Sequence, residues 1–92
     1  MTTDQIRVRH ILVEHQYELE DVKRKLDQGE AFETLAMKFS TCPSKRAGGD
    51  LGTFGRGRMV EAFEEAAFAL KVGEVSGPVR TRFGYHLIER LA

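Results

Sequence analysis

The segment STCPSKRAGGDLGTFGRGR, residues 40 to 58, holds five of the nine glycines and one of the two prolines. A stretch of that composition does not propagate a long helix. Each glycine adds backbone entropy to the unfolded state, and proline removes a hydrogen-bond donor. It reads as loop, with a short helical turn near Ser44 to Arg46 and a short strand around Leu51 to Phe54. It is no phosphate cradle. GxxxxGK[ST] is absent, and no strand-to-helix GxGxxG unit surrounds it. The glycines instead permit positive φ and tight turns.

Regular elements flank this segment. IRVRHILV, residues 6–13, is β-branched and alternating, a strand with Val8, His10 and Leu12 on one face and Arg7, Arg9 and Ile11 on the other. In residues 17–28, Leu19, Val22 and Leu26 fall at helical spacing, and Gly29 follows as a stop. Phe32, Leu35, Ala36 and Phe39 make the stripe of a second helix over 31–39. VEAFEEAAFAL, residues 60–70, is a further helix with Phe63, Ala66, Ala67 and Leu70 on one stripe and Gly73 behind it. Residues 77–82 and 84–91 read as two closing strands joined at Phe83–Gly84. At 92 residues, with no internal repeat and no linker, the chain forms one domain over 1–92. A chain this short covers one small sheet, so the class is α+β, with a largely antiparallel sheet.

Charge and cysteine content narrow the function. Fourteen basic residues balance fourteen acidic ones, which argues against a domain built to grip nucleic-acid backbones. No apolar run approaches the roughly 20 residues of a membrane span, and no secretory h-region is visible. One cysteine makes no internal disulfide, so the expected compartment is the reducing cytoplasm.

Two histidines sit on predicted strands, His10 near the start and His86 near the end. If those strands are neighbours, the imidazoles meet in the sheet centre. The plainer reading is a pair of core histidines that satisfy each other and the backbone. His15 belongs to a polar turn at the surface. Cys42, beside Pro43, reads either as a thiolate nucleophile of a cysteine hydrolase or as a passive thiol, and no orienting third residue is evident. No metal-ligand spacing of the CxxC or HExxH kind exists, so no metal and no cofactor are expected. Met59, Phe63 and Phe83 sit beside turns, where they serve either as core or as the lip of an apolar pocket. Lys45, Arg46, Arg56 and Arg58 would rim that lip. Spacing alone yields no reaction.

The combination of motifs goes further. HILV at 10–13, S-x-C-PS at 40–44, GGDLGTFGRGRMV at 48–60, FEEAAFAL at 63–70, VGEVSGPV at 72–79 and FGYHLIERL at 83–91 occur in order. Together they resemble the parvulin family of peptidyl-prolyl cis/trans isomerases over nearly the whole chain. The resemblance implies a four-stranded, mainly antiparallel sheet wrapped by about four helices, in the order β-α-α-α-β-α-β-β. The third helix is the short turn near Ser44–Arg46. It also implies a free-standing, single-domain type, and a monomer is expected.

Position by position, the family's paired sheet histidines fall on His10 and His86, and its active-site cysteine falls on Cys42. The proline-ring pocket falls on Leu51, Met59, Phe63 and Phe83, with Thr81 near the histidines. The implied activity is rotation about Xaa–Pro bonds of folding polypeptides, without a covalent intermediate and without a cofactor. The histidines would hold the pocket floor and tune Cys42. A non-catalytic proline-binding or holdase module is the alternative. Members directed to phosphoserine- or phosphothreonine-proline carry a lysine and an arginine pair after the first strand. Here that loop is EHQYELED, with Glu14 at the lysine position. The expectation is that a phosphate meets carboxylates there and is not required.

Overall fold

The computed structural model describes residues 5–92. The expected single domain over 1–92 therefore includes residues 1–4, which lie outside the described residues. The elements run β1 (Gln5–Val13), α1 (Gln16–Asp27), α2 (Phe32–Phe39), a 3-10 helix (Pro43–Ala47), β2 (Asp50–Gly55), α3 (Glu61–Ala69), β3 (Val79–Thr81) and β4 (Gly84–Arg90). The expected order holds, with three α-helices and the 3-10 helix as the fourth. Among the described residues, no helix is long and apolar enough to cross a membrane.

Local chemistry starts and stops these elements. The Glu18 carboxylate accepts the His15 backbone N–H at 3.0 Å, which fixes the first turn of α1. Arg24 and Lys25 occupy its last turn, where cations complement the helix dipole. β3 is shorter than the expected 77–82, because Pro78 has no N–H to give a ladder. Pairing is confined to Val79–Thr81, and Val75 makes a separate bridge to Glu89.

The sheet order is β2-β1-β4-β3, and every pairing is antiparallel. β1 and β4 are thus the central strands, and each sheet face has its own cover. On one face Ile6, Val8 and Ile88 pack with Phe54, Phe63, Ala67 and Leu70, so α3 closes that side. On the other face Ile11, Val13 and Leu87 pack with Leu19, Val22, Phe32, Leu35 and Ala36 of α1 and α2. Each buried aliphatic side chain of this kind contributes about 1.5–3 kcal/mol of transfer free energy.

The strand alternation of 6–13 is therefore correct in its facing and incomplete in its burial. Ile11 shares the face of Arg7 and Arg9, yet it is fully buried under α1 and α2. Arg9 is tolerated beside it through ion pairs with Glu89 and Glu33, both at 2.5 Å. Phe39 departs from its expected core role. It lies 40 % exposed at the end of α2, on the wall of a surface cavity.

Candidate active site

The site grows out of the two central strands. In the β1–β4 ladder, His10 pairs with Ile88 and Leu12 with His86. The two histidines are therefore diagonal neighbours on the α3 face. Their Nδ1 atoms lie 3.0 Å apart, and both residues are buried. The outer nitrogens are also engaged. His10 Nε2 lies 3.2 Å from Ser44 Oγ, and His86 Nε2 lies 2.7 Å from Thr81 Oγ1. The Phe83 backbone N–H donates to the same Thr81 oxygen at 3.1 Å. With one N–H per ring, Ser44, His10, His86 and Thr81 form a donor–acceptor chain polarised in one direction.

Three further devices hold this chain in place. The His10 backbone N–H donates to the Gly49 carbonyl at 2.9 Å, which draws the end of the glycine-rich loop onto β1. The Ser40 hydroxyl oxygen accepts the N–H groups of Leu12 and Cys42, at 3.1 and 3.3 Å. The Thr41 N–H donates to the Leu12 carbonyl at 2.7 Å. Residues 40–43 are thus laced to the strand, and the 3-10 helix carries Ser44 over the His10 ring. On the opposite side, the Phe63 ring stands edge-on to both imidazoles, with centroids 5.5 Å from His10 and 5.1 Å from His86.

Above this floor opens a cavity of about 470 Å³. Its walls include Cys42, Leu51, Met59, Phe63 and Phe83, with His10 and His86 at the base. The structure therefore gathers the sequence-predicted residues at one place. Thr81 lies one step behind His86 instead of on the wall. Sequence reasoning missed Leu12, Thr41, Pro43, Val60 and Arg82 as lining residues and Ser44 as the partner of His10. Leu12 was legible from strand alternation with His10, whereas Ser44 arrives only through the tertiary path of the loop. Among the described residues, no hydrogen bond of a ring nitrogen to Cys42 accompanies the expected tuning by a histidine, and His10 Nε2 is given to Ser44. The acidic residues after β1 are also placed elsewhere. Glu18, Glu20 and Asp21 line a second cavity beside Val13 and Phe39, on the α1–α2 face. Among the described residues, no three His, Cys, Asp or Glu side chains cluster in a way that holds a metal ion.

Burial pushes both imidazoles down to about 4, and for His10 the neighbouring His86 adds to the effect. Both rings are neutral near pH 7, so the base of the cavity carries no charge. In the unfolded chain they titrate near their ordinary value of about 6.5. Between those values the unfolded state binds more protons. Stability from this pair is therefore fully present above about pH 6.5 and is lost as pH falls toward about 4. The urea midpoint should fall between about pH 7 and pH 5, by the equivalent of on the order of 2 kcal/mol, before most carboxylates titrate. A midpoint that stays flat across that window would contradict the burial argument.

Comparison with known proteins agrees with this geometry. The family description for the rotamase, or PPIC-type PPIase, domain matches residues 10–92. The foldase protein PrsA of Geobacillus kaustophilus is 55 % identical over 85 residues, covering 91 % of this chain. The chain spans only 30 % of that relative's length. The crystal structure of PrsA from Bacillus subtilis superposes with a TM-score of 0.94 at 50 % identity, over 97 % of this chain and 35 % of that one. The solution structure of NmPin, the parvulin of Nitrosopumilus maritimus, superposes with a TM-score of 0.89 at 44 % identity, over all of both chains. With its domain match, its relatives and a paired-histidine pocket in the predicted place, this chain belongs to the parvulin family of PPIC-type peptidyl-prolyl isomerase domains.

Proposed function

We propose that the chain is a peptidyl-prolyl cis/trans isomerase acting on Xaa–Pro bonds of unfolded or folding polypeptides. The observation that carries the reading is an apolar cavity, walled by Leu51, Met59, Phe63 and Phe83, over a buried, hydrogen-bonded histidine pair. Rotation about the amide passes through a twisted state roughly 18–20 kcal/mol up. There amide resonance is lost and the carbonyl is less charge-separated. A dry apolar wall favours that state over the planar ground state.

In this account Leu51, Met59, Phe63 and Phe83 hold the proline ring while the acyl side turns. His10, His86 and Thr81, with Ser44, hold the floor rigid through their hydrogen-bond chain. Cys42 stands at the wall as a weak electrostatic partner of the turning carbonyl and forms no bond to it. No cofactor enters, and no phosphate on the substrate is required. We further propose a monomer working in the reducing cytoplasm, in keeping with the free thiol of Cys42 at the cavity wall. Relatives named foldases support folding clients as the substrate class.

Refolding separates catalysis from mere binding. A protein whose slow phase is limited by prolyl isomerisation should refold faster when this chain is present at a small fraction of its concentration. A holdase would slow refolding, or would act only at equal stoichiometry. An unchanged slow phase would count against both the pocket assignment and the activity.

A further inference from the structure

The zero net charge hides a segregation between the two cavities. The second cavity, about 460 Å³, carries Glu18, Glu20 and Asp21, and its Arg24 is already paired to Asp21 at 2.5 Å. The proline-ring cavity has the opposite character. Its charged lining residues are Arg58 and Arg82, and no carboxylate lines it among the described residues. Arg58 precedes Met59 and Arg82 precedes Phe83, so a guanidinium stands at each of two pocket walls. Both arginines are exposed. The Arg82 guanidinium lies 5.0 Å from the Phe83 ring centroid, which holds it against the wall itself. Among the described residues the arginines engaged in ion pairs are Arg7, Arg9, Arg24 and Arg56, and neither Arg58 nor Arg82 is one of them. Arg56 pairs with Glu64 and covers the Phe68 ring, outside the cavity wall.

We propose that Arg58 and Arg82 determine substrate choice by drawing in an anionic side chain next to the proline, a reading that rests on the isomerase activity proposed above. An anion beside the proline meets two guanidinium donors and no competing carboxylate, whereas a lysine there meets like charge. The shared chemistry is the anion. A carboxylate supplies one charge, and a phosphate supplies about −1.5 to −2. Because the pair is exposed to water, each contact is modest, and the selectivity is graded.

The test uses matched peptides with Glu, Ala, Lys or phosphoserine before proline, with the specificity constant read by exchange NMR. At about 0.02 M salt, where screening is weak, Glu–Pro should exceed Ala–Pro by roughly threefold to tenfold, and Lys–Pro should fall below it. At about 0.5 M salt the ratios should shrink toward one. The double variant Arg58→Gln/Arg82→Gln should lose the Glu-to-Ala ratio. Arg80→Gln, which lies over Tyr85 outside the cavity, should keep it. The double reversal Arg58→Glu/Arg82→Glu should turn the preference toward Lys–Pro. In the phosphoserine arm, a value above Ala–Pro makes phosphate a second source of the recognised anion, and a value below Ala–Pro counts against charge recognition by the arginine pair. Equal constants for Glu, Ala and Lys overturn the proposal while leaving the isomerase reading intact. So does a preference that survives in the double variant. Absence of catalysed exchange on every peptide removes the isomerase reading and the selectivity with it.

Discussion

Replacing Phe63 with alanine should lower the melting temperature by roughly 15–30 °C and abolish measurable catalysis. Phe63 is 3 % exposed and belongs to the cluster of Ile6, Val8, Phe54, Ala67, Leu70 and Ile88. Truncating a buried phenylalanine costs about 3–5 kcal/mol, from lost transfer free energy and the cavity left behind. A domain of this size has only about 5–14 kcal/mol in total. Each kcal/mol moves the midpoint by about 4–8 °C at this length, which sets the expected shift. The same ring stands edge-on to both imidazoles, so its removal also frees His10 and His86 to tilt and lets water into the cavity. Phe63→Leu keeps most of the volume and separates the two effects. It should stay folded at room temperature while losing much of the catalysed rate. Circular dichroism melting curves read the first effect, and peptide exchange below the midpoint reads the second. A melting shift under about 5 °C for the alanine variant would contradict the packing described here.

Gly49→Ala should be comparably damaging, although Gly49 carries no chemistry. Its φ is +89°, a conformation that costs a side-chain-bearing residue about 1–3 kcal/mol. Space decides the rest. A Cβ at this position would overlap the His10 carbonyl oxygen, and it would lie 3.2 Å from both the His10 nitrogen and the Ala36 Cβ. The clash is with central-strand backbone, which cannot rotate away as a side-chain tip can. Relief requires the loop to leave β1, which breaks the His10–Gly49 hydrogen bond and carries Ser44 off the His10 ring. Gly52→Ala is the matched control. Its φ is +74°, but nothing lies within 4 Å of an added Cβ. The control should show the backbone cost alone. Gly49→Ala should exceed it by at least about 2 kcal/mol in urea unfolding. Equal losses at the two positions would mean that the close approach to β1 is unimportant.

The order of elements was legible because it is written in local periodicity. The facing of the β1 residues was legible too, since side chains in a strand alternate strictly. That His10 and His86 meet was conditional on β1 and β4 being neighbours, a pairing across 76 residues that no local signal encodes. Motif order supplied it through the family resemblance. Burial was less legible. Ile11 lies among arginines in the sequence, and only the docking of α1 and α2 over its half of β1 makes it core. Phe39 fits a helical stripe but lies at the last residue of α2, where Lys25 stacks over its ring and the second cavity leaves it 40 % exposed. The charge around the pocket was the least legible feature. The acidic run after β1 follows the strand that carries His10, which suggests a shared location. α1 instead packs on the opposite face, and the cavity wall is left to Arg58 and Arg82 from distant segments. Which face a helix takes depends on the whole topology, so neighbours in sequence were poor guides to neighbours in space.

Two-dimensional exchange NMR on an unphosphorylated proline tetrapeptide tests the central claim most directly, because it reads cis–trans rotation with no coupled protease. Uncatalysed exchange takes tens to hundreds of seconds, too slow for cross-peaks between the isomers. With catalytic amounts of this chain, exchange cross-peaks should appear, and they should persist at reduced intensity in Cys42→Ser, because rotation forms no bond to the thiol. A peptide spectrum that the folded protein leaves unchanged would contradict the account, and so would exchange that vanishes in Cys42→Ser with a covalent adduct in the mass spectrum of the unaltered protein.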